Sequence, residues 1–283
     1  MHPIPPNSPA TTVALLADTL HRHFPDHSAR LIEELFDTVA KLFAGKLPGY
    51  RACDMAYHDF NHTCDATVAL GRLLDGHLNS RLAPLLNARD YEVAVAAILW
   101  HDTGYLREFN DDGGTGARYT RHHVERGASL AARFLPPLGF TANEVILVQN
   151  IIRWTEPSCE IDALAQRAPT EIFLGQAVGS ADLLGQLAAP DYPHRLPDLF
   201  QEFAESASCE ATTANYSPPH HSAADLMRKT RSFWEQIARP LLQDKFGNVT
   251  CQLVNHFPDG TNHYFAAIEE NLTSIDNLLS RQF

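Results

Sequence analysis

Apolar residues recur at every third or fourth position through most of the chain, the spacing that gives an α-helix one buried face. Leu31, Ile32, Leu35, Phe36, Val39 and Phe43 form one such stripe, which stops at Gly45 and Pro48-Gly49. A second carries His62, Ala66, Ala69, Leu70, Leu73 and Leu74. Val93 to Trp100 is apolar nearly all round, as in a helix at the centre of a bundle; Asp90 is placed to cap it and Gly104 to let the chain turn after His101-Asp102. Arg118 to Leu135 reads as a fourth helix closed by Pro136-Pro137, and the capping box Thr141-Ala142-Asn143-Glu144 opens a fifth that runs to about Trp154. Another begins at Thr170 and carries Asp182. Ser206 to Ser222, polar and proline-bearing, reads as a surface loop. Beyond it the pattern predicts a helix over Ala223 to Leu242, a short strand over Thr250 to Phe257, a turn at Asp259-Gly260, and an amphipathic helix through Tyr264, Ile268, Leu272, Ile275 and Leu279. The expectation is an all-α protein: a tail over 1–20, a core over 21–205, and a helical extension over 206–283 that packs on the core and holds the strand.

Composition narrows the partners. The 283 residues, 45% of them apolar, can bury one large core or two modest ones. A net charge of −12 argues against nucleic acid as a partner, because a phosphate backbone needs a basic stripe. Small anionic substrates stay open, since a bound metal and a few arginines reverse the field inside a pocket. The five cysteines have no CxxC spacing, so neither a thiolate zinc site nor a disulfide framework is indicated, and a reducing cytoplasm fits best. The start of the chain is proline-rich without a basic leader region, and no stretch approaches the roughly 20 apolar residues that span a bilayer. Neither membrane nor nucleic acid is expected as a partner, and a homo-oligomer is left open.

Candidate chemistry lies in three separated pieces: Tyr57-His58-Asp59-Phe60-Asn61-His62, then His101-Asp102, then Ser180-Ala181-Asp182-Leu183-Leu184-Gly185. Helical spacing places His58 and His62 on one face, and the later pieces add nitrogen and oxygen donors of the kind a divalent metal takes. His101-Asp102 gains weight from ending a fully apolar helix, where an ionised carboxylate is costly unless paired or metal-bound. Asp65, one turn beyond His62, is placed to accept the proton of the non-ligating ring nitrogen; as a bland alternative it is an ordinary helix-surface carboxylate.

The stretch YHDFNHTCD closely resembles the YHNxxHxxD motif of cyclic-nucleotide phosphodiesterases, and HD followed by SADLLG resembles the wider HD superfamily of metal-dependent phosphohydrolases, over about Ala52 to Leu187. That resemblance implies a helical bundle with the site between helices. It implies His62, His101, Asp102 and Asp182 as ligands of one metal, zinc, iron or manganese, and His58 as the acid that protonates the leaving oxygen of a small phosphate ester. From His123, the HxxxGA pattern resembles the segment that supplies a ligand to a second ion, magnesium or manganese, in binuclear relatives. Arg126, beside it, is the candidate to hold substrate phosphate. His220-His221 in the polar loop reads as solvated.

The departures are specific. Tyr105 stands where phosphodiesterases have a further histidine, Asp59 stands where they have asparagine, and the HHE and GYP signatures of cyclic-di-GMP hydrolases are missing. The expected function is a phosphohydrolase acting on a nucleotide-like phosphodiester or phosphomonoester. The alternatives are a di-iron oxygenase of the same fold and a metal-binding regulatory module without catalysis.

Overall fold

The computed structural model describes residues 2–156, 167–210 and 220–281. Cys159 and most of the Ser206 to Ser222 loop lie outside the described residues. Ten α-helices account for the described architecture: α1 Pro9–His23, α2 Arg30–Phe43, α3 Phe60–Ser80, α4 Ala88–Trp100, α5 His123–Phe134, α6 Ala142–Ile152, α7 Pro169–Leu187, α8 Tyr192–Glu210, α9 Ala223–Phe233 and α10 His263–Ser280. The fold is all-α; the extended pairing among the described residues consists of isolated bridges, Ala44 with Ala52 and Tyr50 with Glu108.

Helix α4 is the centre of the bundle, with every residue from Tyr91 to Trp100 buried. Its capping box runs between Asn87 and Asp90, so Asp90 is the reciprocal partner rather than the cap itself. Around α4 pack α2, α3, α5, α6 and α7, and one continuous apolar core extends from Ile4 to Ile275. Among the described residues no helix is long and apolar enough to cross a membrane.

Four elements differ from their sequence expectation. The supposed tail holds most of α1, whose Leu16 and Leu20 are fully buried. Arg118 to Leu135 is divided, with a 3₁₀ turn at Gly116–Tyr119 ahead of α5. Val249–Asn255 is a 3₁₀ helix, not a strand: Val249, Thr250 and Leu253 are buried, and that spacing belongs to a helical turn. Helix α8 was not expected, because prolines at 193 and 197 break the helical pattern on paper. In the fold Pro193 sits in the first turn, where a missing N–H costs nothing, and Pro197 is carried inside the helix.

Candidate metal centre

Three local devices bring the donors together. Asp59 is the N-cap of α3, its carboxylate accepting from the N–H groups of Asn61 (2.9 Å) and His62 (3.0 Å), and this fixes His62 in the first turn. At the end of α4 the chain turns through His101 and Asp102 into a 3₁₀ turn, Thr103–Tyr105, where the Thr103 hydroxyl satisfies the Trp100 carbonyl at 2.8 Å. On α7, Gly185 lies so close to α3 that a β-carbon would stand 2.5 Å from Ala66 Cα. That approach, one turn after Asp182, presses its carboxylate against His62.

The resulting set is compact. His62 Nε2 lies 3.3 Å from both Asp102 Oδ2 and Asp182 Oδ1, and His101 Nε2 lies 3.2 and 3.4 Å from the same two oxygens. His62, His101 and Asp102 are buried and could hold a metal ion, their donor atoms all lying within 4.8 Å of one another. His101 Nδ1 donates to the Ile98 carbonyl at 2.6 Å, which leaves Nε2 as the free lone pair. His101 Nε2 and Asp102 Oδ2 are both buried without a hydrogen-bond partner. Buried polar atoms are seldom left so, and a cation between these imidazoles and carboxylates satisfies them together.

The electrostatics agree with a cation site. Burial pulls the His62 pKa down, but the carboxylates of Asp102 and Asp182 outweigh it and push it up to about 9. His101 likewise rises well above the usual histidine value against the pull of burial. Asp102 and Asp182 are penalised by burial yet end below the usual carboxylate range, because His101 and His62 face them. The same carboxylates that draw protons onto these histidines would attract a divalent ion.

Asp102 presents its second oxygen elsewhere. His123 Nε2 lies 3.7 Å from Asp102 Oδ1, while His123 Nδ1 donates to the Thr120 carbonyl at 2.6 Å. One turn on, Gly127 admits the His101 carbonyl, which would lie 2.6 Å from a β-carbon there, so α5 can approach the metal turn. This explains why the glycine follows His123 at a four-residue interval. His122 is exposed at the rim.

Next to this set opens a cavity of about 530 Å³, lined by His58, Tyr105, Arg121, His123, Asp182 and Phe203 among others. His58 Nδ1 donates to Glu202 Oε2 at 2.6 Å, and Glu202 Oε1 accepts from the Tyr57 and His58 N–H groups at 2.6 and 3.3 Å. Tyr105 fills the space between two histidines, stacking on His58 at 4.7 Å and on His123 at 4.4 Å between ring centres.

Residues 108–255 match the Npun_R2479-like family. The chain belongs to that family. The stretch shared with Npun_R2479-like proteins contains His123, Asp182, Glu202 and α9, and it begins after His62, His101 and Asp102. No curated protein matches the chain.

Within this Npun_R2479-like chain the donors His62, His101, Asp102 and Asp182 meet, with His123 beside them, while four readings of single residues change. His58 precedes the Asp59 cap, so it is not on a helix face with His62, although their rings are 5.4 Å apart. Asp65 takes its hydrogen bond from Asn7 Nδ2 at 2.8 Å and not from the His62 ring; burial pushes its pKa up to about 6. Arg126 is a structural clamp, donating to the Gly104 and Leu106 carbonyls at 2.8 and 2.9 Å and lining a different cavity. His220 is half-buried and stacks on Phe203 instead of standing in solvent. Two residues of α8 were missed with their helix: Glu202, and Arg195, which donates to the Ala56 and Tyr57 carbonyls at 2.7 Å.

Proposed function

We propose that the chain is a metal-dependent phosphohydrolase that cleaves a phosphodiester or phosphomonoester of a nucleotide-like small molecule. The observation that carries this reading is the pairing, beside one cavity, of a two-histidine, two-carboxylate donor set, in which His101 Nε2 and Asp102 Oδ2 lack hydrogen-bond partners, with a histidine held by a buried carboxylate. His62, His101, Asp102 and Asp182 would hold the metal, and a nitrogen and oxygen set of this kind suits zinc, iron or manganese. Asp102 Oδ1 and His123 Nε2 would hold a second, exchangeable magnesium or manganese ion. When bound, a divalent ion supplies Lewis acidity toward a phosphoryl oxygen and an activated water.

The chain's own residues do the rest. Glu202 accepts a hydrogen bond from His58 Nδ1 and so fixes the ring, leaving Nε2, when it carries a proton, as the nitrogen that can donate to a departing oxygen. Tyr105, packed flat on His58, restricts the ring from the other side. Arg121 lines the same cavity.

The test is His58→Asn. It should retain metal and lose roughly 10²–10⁴-fold in turnover, the usual range for general acid catalysis. The loss should be large for alkyl esters, whose leaving group needs the proton, and small for nitrophenyl esters. Equal losses for both would remove the acid role. Dioxygen consumption by the purified protein would replace the hydrolase with an oxygenase.

A further inference from the structure

A second, smaller cavity adjoins the metal cavity. It holds about 150 Å³, and Gln186 and Phe203 line both spaces. Its walls come from the packing of α8 against α9: Tyr192, Leu199, Leu226 and Phe233 make it mostly apolar, and Lys229 and Thr230 also line it. His220 closes one side, stacked on Phe203 with 5.9 Å between ring centres and 22° between planes. Among the described residues, the Nδ1 atom of His220 is buried and has no hydrogen-bond partner.

These features select among occupants. A hydrocarbon chain would suit the walls but leave His220 Nδ1 unpaired, which is costly for a buried polar atom. A sugar would pair with His220 but gain little from Leu199, Leu226 and Phe233. A flat heteroaromatic ring stacks against aromatic side chains and offers polar atoms along its edge, so it meets both demands. A space of this size takes one ring system and excludes a peptide segment. The residues Gln186 and Phe203 put that ring next to the donor set, so one molecule can reach from the small cavity to the metal.

We infer that this annex takes the nucleobase of a phosphate ester whose phosphate lies in the metal cavity. The inference rests on the phosphohydrolase reading for the role of the phosphate, and on the annex alone for the ring. It assigns Phe203, Leu226 and His220 to substrate selection.

The experiment uses the metal-loaded protein and its hydrolysis of bis(4-nitrophenyl) phosphate, inhibited in turn by AMP, GMP, CMP, UMP and ribose 5-phosphate. At least one nucleotide should inhibit about tenfold or more tightly than the ring-free ribose 5-phosphate, the range expected for a stacked base. Leu226→Trp, which fills the annex, should erase that advantage while metal content and far-UV circular dichroism stay as in the wild type. His220→Ala, a gentler change, should reduce the advantage about three- to tenfold, the worth of one hydrogen bond. Four nucleotides no tighter than ribose 5-phosphate, or an advantage that survives Leu226→Trp in a folded protein, would overturn the inference. If the wild-type protein hydrolyses no ester, the phosphohydrolase reading falls, and calorimetric binding of the same five compounds decides the annex by itself.

Discussion

Two places among the described residues gather aspartate and histidine in the interior, and they are built to opposite ends. At Asp75, on α3, every approach is closed: Arg22 reaches Oδ1 at 2.5 Å, His23 Nε2 reaches the same oxygen at 2.8 Å, and His256 Nδ1 reaches Oδ2 at 2.6 Å. The cluster ties α1, α3 and the 3₁₀ helix near His256 together. At Asp102 the same residue types stand 3.2 to 3.4 Å apart, no arginine or lysine forms an ion pair with the carboxylates among the described residues, and His101 Nε2 and Asp102 Oδ2 are left without partners. Composition does not separate a structural cluster from a metal centre. Saturation does: Asp75 has an arginine and hydrogen-bonded histidines within the chain, whereas among the described residues Asp102 and Asp182 face histidines alone, with two buried donor atoms left without hydrogen-bond partners.

That contrast can be broken from either side. Glu202 joins His58 as closely as Asp75 joins its histidines, at 2.6 Å, but on the cavity wall. Its saturation should therefore serve catalysis. Glu202→Gln, which keeps the shape and weakens the hold on the ring, should lower kcat about 10- to 100-fold with metal content and KM little changed. A change confined to KM or to thermal stability would make Glu202 a structural residue like Asp75.

At Asp75 the expected effect is on stability alone. Burial works against its charge, but His256, His23 and Arg22 outweigh that and hold its pKa below the usual range. A depressed carboxylate stabilises the fold above its unfolded pKa and loses that contribution as pH falls through its folded one. Asp75→Asn should cost roughly 2 kcal/mol in denaturant unfolding near neutral pH, with the cost shrinking in acid, and should leave metal content intact. Loss of metal in this variant would erase the distinction between the two clusters.

The smallest effect concerns protons at the metal centre. In the metal-free protein the His62 pKa is raised to about 9 by the facing carboxylates, against burial. A raised histidine stabilises the metal-free fold fully below its unfolded value of about 6.5 and loses that contribution as pH rises through the folded one. Metal must displace this proton, so affinity should rise roughly tenfold per pH unit for each proton displaced, between about pH 6.5 and 9. Calorimetry in buffers of different ionisation enthalpy reads the proton release directly. Metal uptake with no proton released would mean that the ion binds elsewhere.

Much of this was legible in the sequence, for reasons that also mark where reading stops. The apolar run ending at Trp100 announces a central helix, and a His-Asp pair at its end has to be satisfied by something. His62 and Asp182 were expected from the resemblance carried by YHDFNHTCD and SADLLG, and the fold brings their side chains to 3.3 Å of each other. Glu202 could not: its helix is disguised by two prolines, and its partner is 144 residues away in the chain. Arg126 was misplaced because a guanidinium near a histidine looks the same on paper whether it meets a phosphate or two carbonyls. The strand at Thr250 failed because a seven-residue stretch does not distinguish alternation from a 3₁₀ turn.

The most direct test of the account is elemental analysis of three purified proteins, wild type, Asp75→Asn and Asp102→Ala, after dialysis against a weak chelator. The account predicts at least one tightly held divalent ion per chain in the first two proteins and its loss from the third. A full complement of metal in Asp102→Ala would contradict it.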